Sequence, residues 1–419
     1  MNTAALFALL GGLLVLAFAA NRLFDRTRVP DVVVLMVAGV LLGPVIGLID
    51  AGELRGITQA FGTLAIILIL FEGGLELNLR DTIRHSPGGM LFAVLVYTLS
   101  LGAISLVAWW VLALTVSQAL LVGAVLGCTS IAIVMPVLQQ MQVREPVKVT
   151  FLLEASLGEV FAVLTVGIIL EQTEQPAAAV QGVVGEFLSE IAVALVLAAV
   201  TGVVWARLMP RMSKQPFWQV LTFSVVLLLY ATTEAVDASG LIAVFGFGLT
   251  LANFSKIGPR MVEATFGLEA PAEQPHLQIL AFHSELAFLV RTFFFVLLGV
   301  VVDLGGMLSY LLPALAIFAA LVLARWLAVP ASQWSWRDIG PQETSLIFLV
   351  LPRGLITAVL AIQVFVARGE SFAFLPSLAF AIILATSFVV VYAGMHHQAA
   401  AAAPAAPASN ARSGGQAKA

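Results

Sequence analysis

The chain has 419 residues, 61% of them hydrophobic and only 11% charged, with a formal net charge of -4 and a mean hydropathy of +1.04. Soluble domains carry roughly 25% charged residues, so this composition excludes a water-soluble globule and specifies a polytopic helical membrane protein. The single cysteine, Cys128, excludes an intrachain disulfide framework, and none of the five histidines stands in a HExxH or HxH spacing.

Thirteen apolar segments follow one another, near 4–20, 31–49, 58–77, 89–114, 118–138, 149–170, 185–208, 217–235, 239–254, 279–303, 308–330, 342–366 and 374–395. Most reach the ~20 residues needed to cross a hydrocarbon core. The first ends in AFAA, which resembles a cleavage site, but no Lys or Arg precedes it. A signal peptide has a basic start, so the segment reads as a true span. Fifteen of the twenty Lys and Arg residues fall in alternate connections, from Arg22, Arg26 and Arg28 onward to Arg412 and Lys418. By the positive-inside rule the N-terminus is expected outside and the C-terminus in the cytoplasm of a cell membrane. The connection 255–278 reads as a short surface helix or a flexible link. Residues 1–397 form the membrane domain and the Ala/Pro-rich stretch 398–419 reads as a disordered cytoplasmic tail. No GxGxxG and no Walker A sequence occurs, so the chain offers neither a nucleotide-binding regulatory domain nor an ATP-driven pump.

Two segments carry signs of interruption. The fifth contains GCTSIAIVMP, with Thr129, Ser130 and Pro136, and the twelfth contains LPRGLITAVL, with Pro352, Arg353 and Gly354. The second and ninth segments also share a small-residue pattern after a polar start. Paired broken helices in corresponding halves point to the midplane site of a secondary transporter.

The sixth segment, LLEASLGEVFAVL, places Glu154 and Glu159 in an apolar span. A charge there costs about 2.5 kcal/mol or more on insertion scales. On a helix the two lie about 140° apart, so they face different neighbours. A buried carboxylate without a fixed counter-charge holds a proton more tightly and can exchange it for a cation. One paired with an arginine stays ionised and structural. An assignment of Glu159 as carrier and Glu154 with Arg353 as an ion pair is physically coherent; the alternative is that both glutamates only hydrogen-bond to polar groups between helices. Glu72 and Glu76 read as solvated side chains at a span end, with a funnel for cations as the alternative, and Glu234 as an interfacial cap, with a vestibule for cations as the alternative. Glu285 and Arg291 read as pairing with different helices, and Arg325-Trp326 as an anchor snorkelling to the interface.

The chain resembles the monovalent cation:proton antiporter superfamily, in particular sodium/proton exchangers of the NhaP type. The likeness runs from about residue 5 to 395, strongest in RVPDVVVLMVAGVLLGP, LILFEGGLELNLRD, SGLIAVFGFGLTLAN, RTFFFVLLGVVVDL and LPRGLITAVLA. The resemblance implies an all-α fold of about thirteen transmembrane helices in two inverted repeats with interrupted crossing helices, and a homodimer. It implies ion binding by the sixth-span carboxylate, here Glu159, and pairing of Glu154 with the arginine of the arginine-glycine stretch, here Arg353. Three positions depart from the pattern: Ser130 and Glu159 stand where the family has Asp, and Gly158 stands where it has Asn. A monovalent cation at Glu159 is expected to be met by Ser156, Ser130, Thr129 and water.

The expected activity is exchange of sodium or potassium for protons by alternating access, electroneutral because only one carboxylate titrates. The chain is then no enzyme and needs no cofactor; its partners are protons, monovalent cations and membrane lipid, with no nucleic acid. A passive channel or proton leak, and a relative with altered or lost cation transport, are the rival readings.

Overall fold

The structure, a computed structural model, describes residues 3–27, 29–49, 51–77, 88–141, 143–172, 180–266, 274–333 and 339–402. A bilayer offers no water to backbone N–H and C=O groups, so a spanning segment must satisfy them internally. Accordingly the described residues form helices joined by short turns, without strands. In chain order these are α1 (Thr3–Thr27), α2 (Asp31–Val40), α3 (Ala51–Glu76), α4 (Gly89–Val111), α5 (Val116–Gly127), α6 (Ile131–Met141), α7 (Glu145–Gln172) and α8 (Val180–Met212). They continue with α9 (Trp218–Glu234), α10 (Gly240–Phe266), α11 (Gln274–Val301), α12 (Met307–Gln333), α13 (Pro341–Leu349), α14 (Leu355–Arg368) and α15 (Phe374–Ala402).

Every one of the thirteen expected segments falls on one helix or on a broken pair. Segment 31–49 is α2 continued by a π-helical turn, Leu41–Val45, which encloses Pro44. Segment 118–138 is α5 and α6, and segment 342–366 is α13 and α14. Among the described residues nine helical stretches are long and apolar enough to cross a membrane, and Asp31–Val45 and Gly240–Phe254 are shorter apolar helices. Most of the expected connection 255–278 is taken up by the end of α10 and the start of α11; residues 267–273 lie outside the described residues. The last helix runs to Ala402, and the remainder of the expected tail also lies outside them.

The helices sort into two bundles by their packing. One holds α4, α5, α6, α7, α12, α13, α14 and α15; the other holds α1, α2, α3, α8, α9, α10 and α11. The bundles meet where α3 and α11 pack against α14, α7 and α15. Within the second bundle two glycine crossings set the spacing. A methyl group on Gly39 (α2) would run into the Val296 carbonyl, and one on Gly299 (α11) into the Met36 carbonyl. Gly74 (α3) and Gly248 (α10) stand in the same relation to the Phe245 and Phe71 carbonyls. Gly39 and Gly248 belong to the second and ninth segments, whose shared small-residue pattern is thus a packing requirement met twice, once in each half. Phe293 and Phe294 pack on Phe61 with ring centroids 6.1 and 5.9 Å apart, so this Phe-rich run serves helix packing.

Candidate functional site: two interrupted helices and a buried carboxylate

The first bundle is built around a crossing of two breaks. Helix α5 starts from a capping box, Thr115 with Gln118, and ends at Gly127; the chain then runs extended through Cys128 before α6 begins at Ile131. Helix α13 ends at Leu349 and α14 begins at Leu355. Pro352 explains the second break, because it disfavours the helical region for Leu351 and supplies no N–H. The extended segments touch: the Ser130 N–H donates to the Pro352 carbonyl at 2.9 Å. Gly354 lies so close to Ser130 that a methyl group there would overlap the Ser130 hydroxyl.

Each break leaves a helix C-terminus with unpaired carbonyls, the negative end of the helix dipole, deep in the bundle. Two arginines fill them. Arg353 donates from Nε to the Leu126 carbonyl at 2.8 Å and from Nη2 to the Gly127 carbonyl at 3.2 Å, capping α5. Its Nη1 donates to the Leu351 carbonyl at 3.1 Å and to the Thr129 hydroxyl at 3.2 Å. Arg325, from α12, caps α13: Nε donates to the Ile347 carbonyl at 2.8 Å and Nη2 to the Val350 carbonyl at 2.6 Å. Its Nη1 forms a buried ion pair with Oε1 of Glu154.

The direct Glu154–Arg353 pair expected from the sequence is therefore not formed. Arg353 spends its donors on α5 and reaches Glu154 only through Thr129, whose hydroxyl donates to Oε1 of Glu154 at 2.6 Å. The partner is Arg325, which is 2% exposed and lies over the rings of Phe92 and Phe151 at 5.3 and 5.8 Å. Arg325 does not snorkel. Its neighbour Trp326 is 59% exposed, and adjacent helical residues point about 100° apart, so only the tryptophan faces outward.

Glu159 is buried as deeply, at 2% exposure, but its surroundings differ. Its Oε1 accepts the Ile131 N–H at 3.2 Å, the first N–H of α6 and the positive end of that half-helix. Among the described residues no basic side chain pairs with it. Of the other expected ligands, the Thr129 hydroxyl is already committed to Glu154 and Arg353. The Ser156 and Ser130 hydroxyls are buried and have no partner among the described residues. Ser156 sits one turn before Glu159 on α7 and faces Gly73 of α3, whereas the Ser130 hydroxyl lies against Gly354. At Gly158 an added Cβ would meet Thr129 and Cys128 only at ordinary contact distances of 3.8–3.9 Å. The backbone there leaves room for a side chain that this sequence does not supply.

A cavity of about 230 Å³ lies at the junction of the bundles and is lined in part by Ile131, whose N–H donates to Glu159. Ile131 and Leu355, the first residues of α6 and α14, are among its lining residues, so the starts of both second half-helices border it. Its walls carry Glu72 and Glu76 from α3 and Ser284 and Arg291 from α11. The Ser284 hydroxyl donates to Oε1 of Glu72 at 2.6 Å. Their place in this wall favours the funnel over the solvated-end reading of Glu72 and Glu76, and their spacing of four, which puts both on one face of α3, was the available signal. Arg291 pairs with Asp31 of α2 at 3.2 Å, a separate helix as expected. Glu234 accepts the Gly240 N–H at 2.8 Å and so caps the start of α10.

This arrangement, two helical bundles with a carboxylate at crossed helix breaks, defines a polytopic membrane-transport fold. A family model described as sodium/hydrogen exchanger, transmembrane, matches residues 12–399, and the chain belongs to that family. It is 28% identical over 370 residues to the K(+)/H(+) antiporter NhaP of Alkalimonas amylolytica, covering 84% of this chain and 59% of the relative. It is 24% identical over 365 residues to the K(+)/H(+) antiporter NhaP2 of Shewanella oneidensis, covering 85% and 60%. The chain thus spans about three fifths of the length of these two relatives. With Na(+)/H(+) antiporter 1 of Methanocaldococcus jannaschii the identity is 22% over 372 residues, covering 85% of this chain and 82% of that protein. The structure of the sodium proton antiporter MjNhaP1 from the same organism at pH 8 superposes with a TM-score of 0.76 at 19% identity, covering 96% and 98% of the two chains. The NhaP-type resemblance seen in the sequence and the all-helical fold are both borne out.

Proposed function

We propose that the chain exchanges a monovalent cation, sodium or potassium, for protons by alternating access, with Glu159 as the carrier carboxylate. The observation that carries this reading is the contrast in neutralisation on α7. Glu154 has an arginine, whereas Glu159 has one backbone N–H and no basic partner among the described residues. A buried carboxylate in that position must be neutralised before its bundle can move across the membrane. A proton and a hydrated-shell-stripped cation both do this at the same oxygens, so they exclude one another, and that exclusion is the coupling. One such carboxylate gives one-for-one, electroneutral exchange. The Ser156 hydroxyl, which has no partner among the described residues, supports a cation ligand beside Glu159.

In this reading the loop after α3, with Arg80 and Arg84, is cytoplasmic. The cavity reaches Glu76 at that end of α3, so the site faces the cytoplasm, with the N-terminus of the chain outside. The family likeness supports assembly as a homodimer in the lipid bilayer. In everted vesicles, sodium or potassium should dissipate an imposed proton gradient, and Glu159→Gln should abolish this while leaving the folded yield unchanged. Wild-type exchange in that variant would remove Glu159 from the carrier role. Proton flux that ignores every cation would favour a leak instead.

A further inference from the structure

Arg291 occupies an unusual place for a protein that admits cations. Among the described residues it is the only basic side chain lining the cavity that leads to Ile131, and it shares those walls with Glu72 and Glu76. Ser284, Phe288 and Arg291 recur at helical spacing on one face of α11, and Glu72 and Glu76 do so on the opposing face of α3. A guanidinium free in this space would be a tethered competitor for any mobile cation.

The guanidinium is not free. It lies 5.6 Å from the Phe288 ring centroid and pairs through Nη2 with Oδ2 of Asp31 at 3.2 Å. Asp31 is the first residue of α2, directly after Pro30, whose ring fixes the approach of the chain, and Oδ1 of Asp31 accepts the Val32 N–H at 3.0 Å. The carboxylate is therefore anchored to a helix start. It lines a second, smaller cavity of about 20 Å³ that Arg291 also lines and that Glu72 and Glu76 do not. Asp31 and Arg291 are 13% and 18% exposed, enough shielding for a charge contact to direct a side chain.

We propose that Asp31 is a positioning residue that draws Arg291 against the cavity wall, so that Glu72 and Glu76 keep the passage attractive to a monovalent cation. Removing the Asp31 charge lets Arg291 turn to Glu72 and Glu76, the carboxylates that line the same cavity, and neutralise them. The pair then sets the apparent affinity for the transported cation and leaves the turnover step at Glu159 alone. The inference rests on the reading that cations reach Glu159 through this cavity.

The test compares wild type, Asp31→Asn, Asp31→Glu and the double variant Asp31→Asn/Arg291→Gln in two measurements. In vesicles, Asp31→Asn should raise the half-saturating sodium or potassium concentration about tenfold with the maximal rate within about twofold, the effect of one unit charge shifted by several ångströms in a medium of moderate dielectric. Asp31→Glu should stay near wild type, and the double variant should return to within about twofold of it. The second measurement needs no transport: a hydrophobic carbodiimide, with Glu72 and Glu76 followed by mass spectrometry, should label them less in Asp31→Asn and normally again in the double variant. A double variant as impaired as Asp31→Asn in both measurements would make the pair merely structural and overturn the proposal, as would unchanged labelling in Asp31→Asn. If no cation drives exchange in the wild type, the exchange reading falls, and the labelling pattern still decides the role of Asp31.

Discussion

Glu154 and Glu159 sit on the same helix, five residues apart and equally buried, yet their surroundings are opposites. Around Glu154 two helix C-termini converge, and their carbonyls need cations; Arg325 and Arg353 supply them, and Glu154 balances the excess positive charge. Around Glu159 a helix N-terminus points inward, which already favours an anion, so no fixed cation is required. The polarity of the broken helices thus decides which glutamate is locked and which is left for a mobile ion. Two interrupted helices that meet at their breaks produce both environments at once.

The largest way to break that comparison is to unbalance the locked side. Arg325→Ala leaves Glu154 as a buried charge without its ion pair and uncaps α13 at Ile347 and Val350, so folded yield and detergent-melting stability should fall by about 3–5 kcal/mol. Arg353→Ala should cost less, because it removes neutral carbonyl partners and leaves the Glu154–Arg325 pair in place. Equal losses in the two variants, or a larger loss for Arg353→Ala, would show that the charge is shared through Thr129 rather than held by Arg325.

That ordering is also where the sequence was hardest to read. Proline and glycine marked the break at Pro352 and Gly354, and the Thr-Ser pair marked the one at Thr129 and Ser130, because these residue types act locally. The thirteen segments and the presence of two carboxylates within the sixth of them were legible for the same reason: each rests on the cost of polarity in an apolar run. The partner of Glu154 depends instead on which way α12 is rotated. Most of that helix is apolar on every side, so nothing in its pattern says that Arg325 points inward while Trp326 points out. The cavity wall on α3 was only half legible for a similar reason, since Glu72 and Glu76 lie near a helix end and nothing in their pattern says that they line a cavity shared with α11.

A smaller perturbation acts on the crossing itself. Gly354→Ala places a methyl group against the Ser130 hydroxyl and Cβ, and the backbone bond from Ser130 to Pro352 leaves little room to retreat. Overpacking of this kind costs about 1–3 kcal/mol, and here the displaced atoms lie one residue from Ile131, the donor to Glu159. Melting stability should drop by that amount, and exchange should slow more than stability alone explains. Gly158→Ala offers the control, because a Cβ there meets only ordinary contacts; its stability should stay within about 0.5 kcal/mol of wild type.

The mildest change separates ligand from scaffold on the open side. The Ser156 hydroxyl is buried and has no partner among the described residues, an arrangement that costs about 1–3 kcal/mol when nothing compensates it. Ser156→Ala removes that cost, so the protein without cation should melt at the same temperature or slightly higher. If the hydroxyl is held ready for the cation beside Glu159, the same variant should raise the half-saturating cation concentration about three- to tenfold, the loss of one hydrogen-bond-sized contact. Stability and affinity then move in opposite directions, which a residue serving only to pack α7 against α3 does not do. A variant that melts lower with unchanged affinity would place Ser156 on the locked side of the comparison, with Glu154.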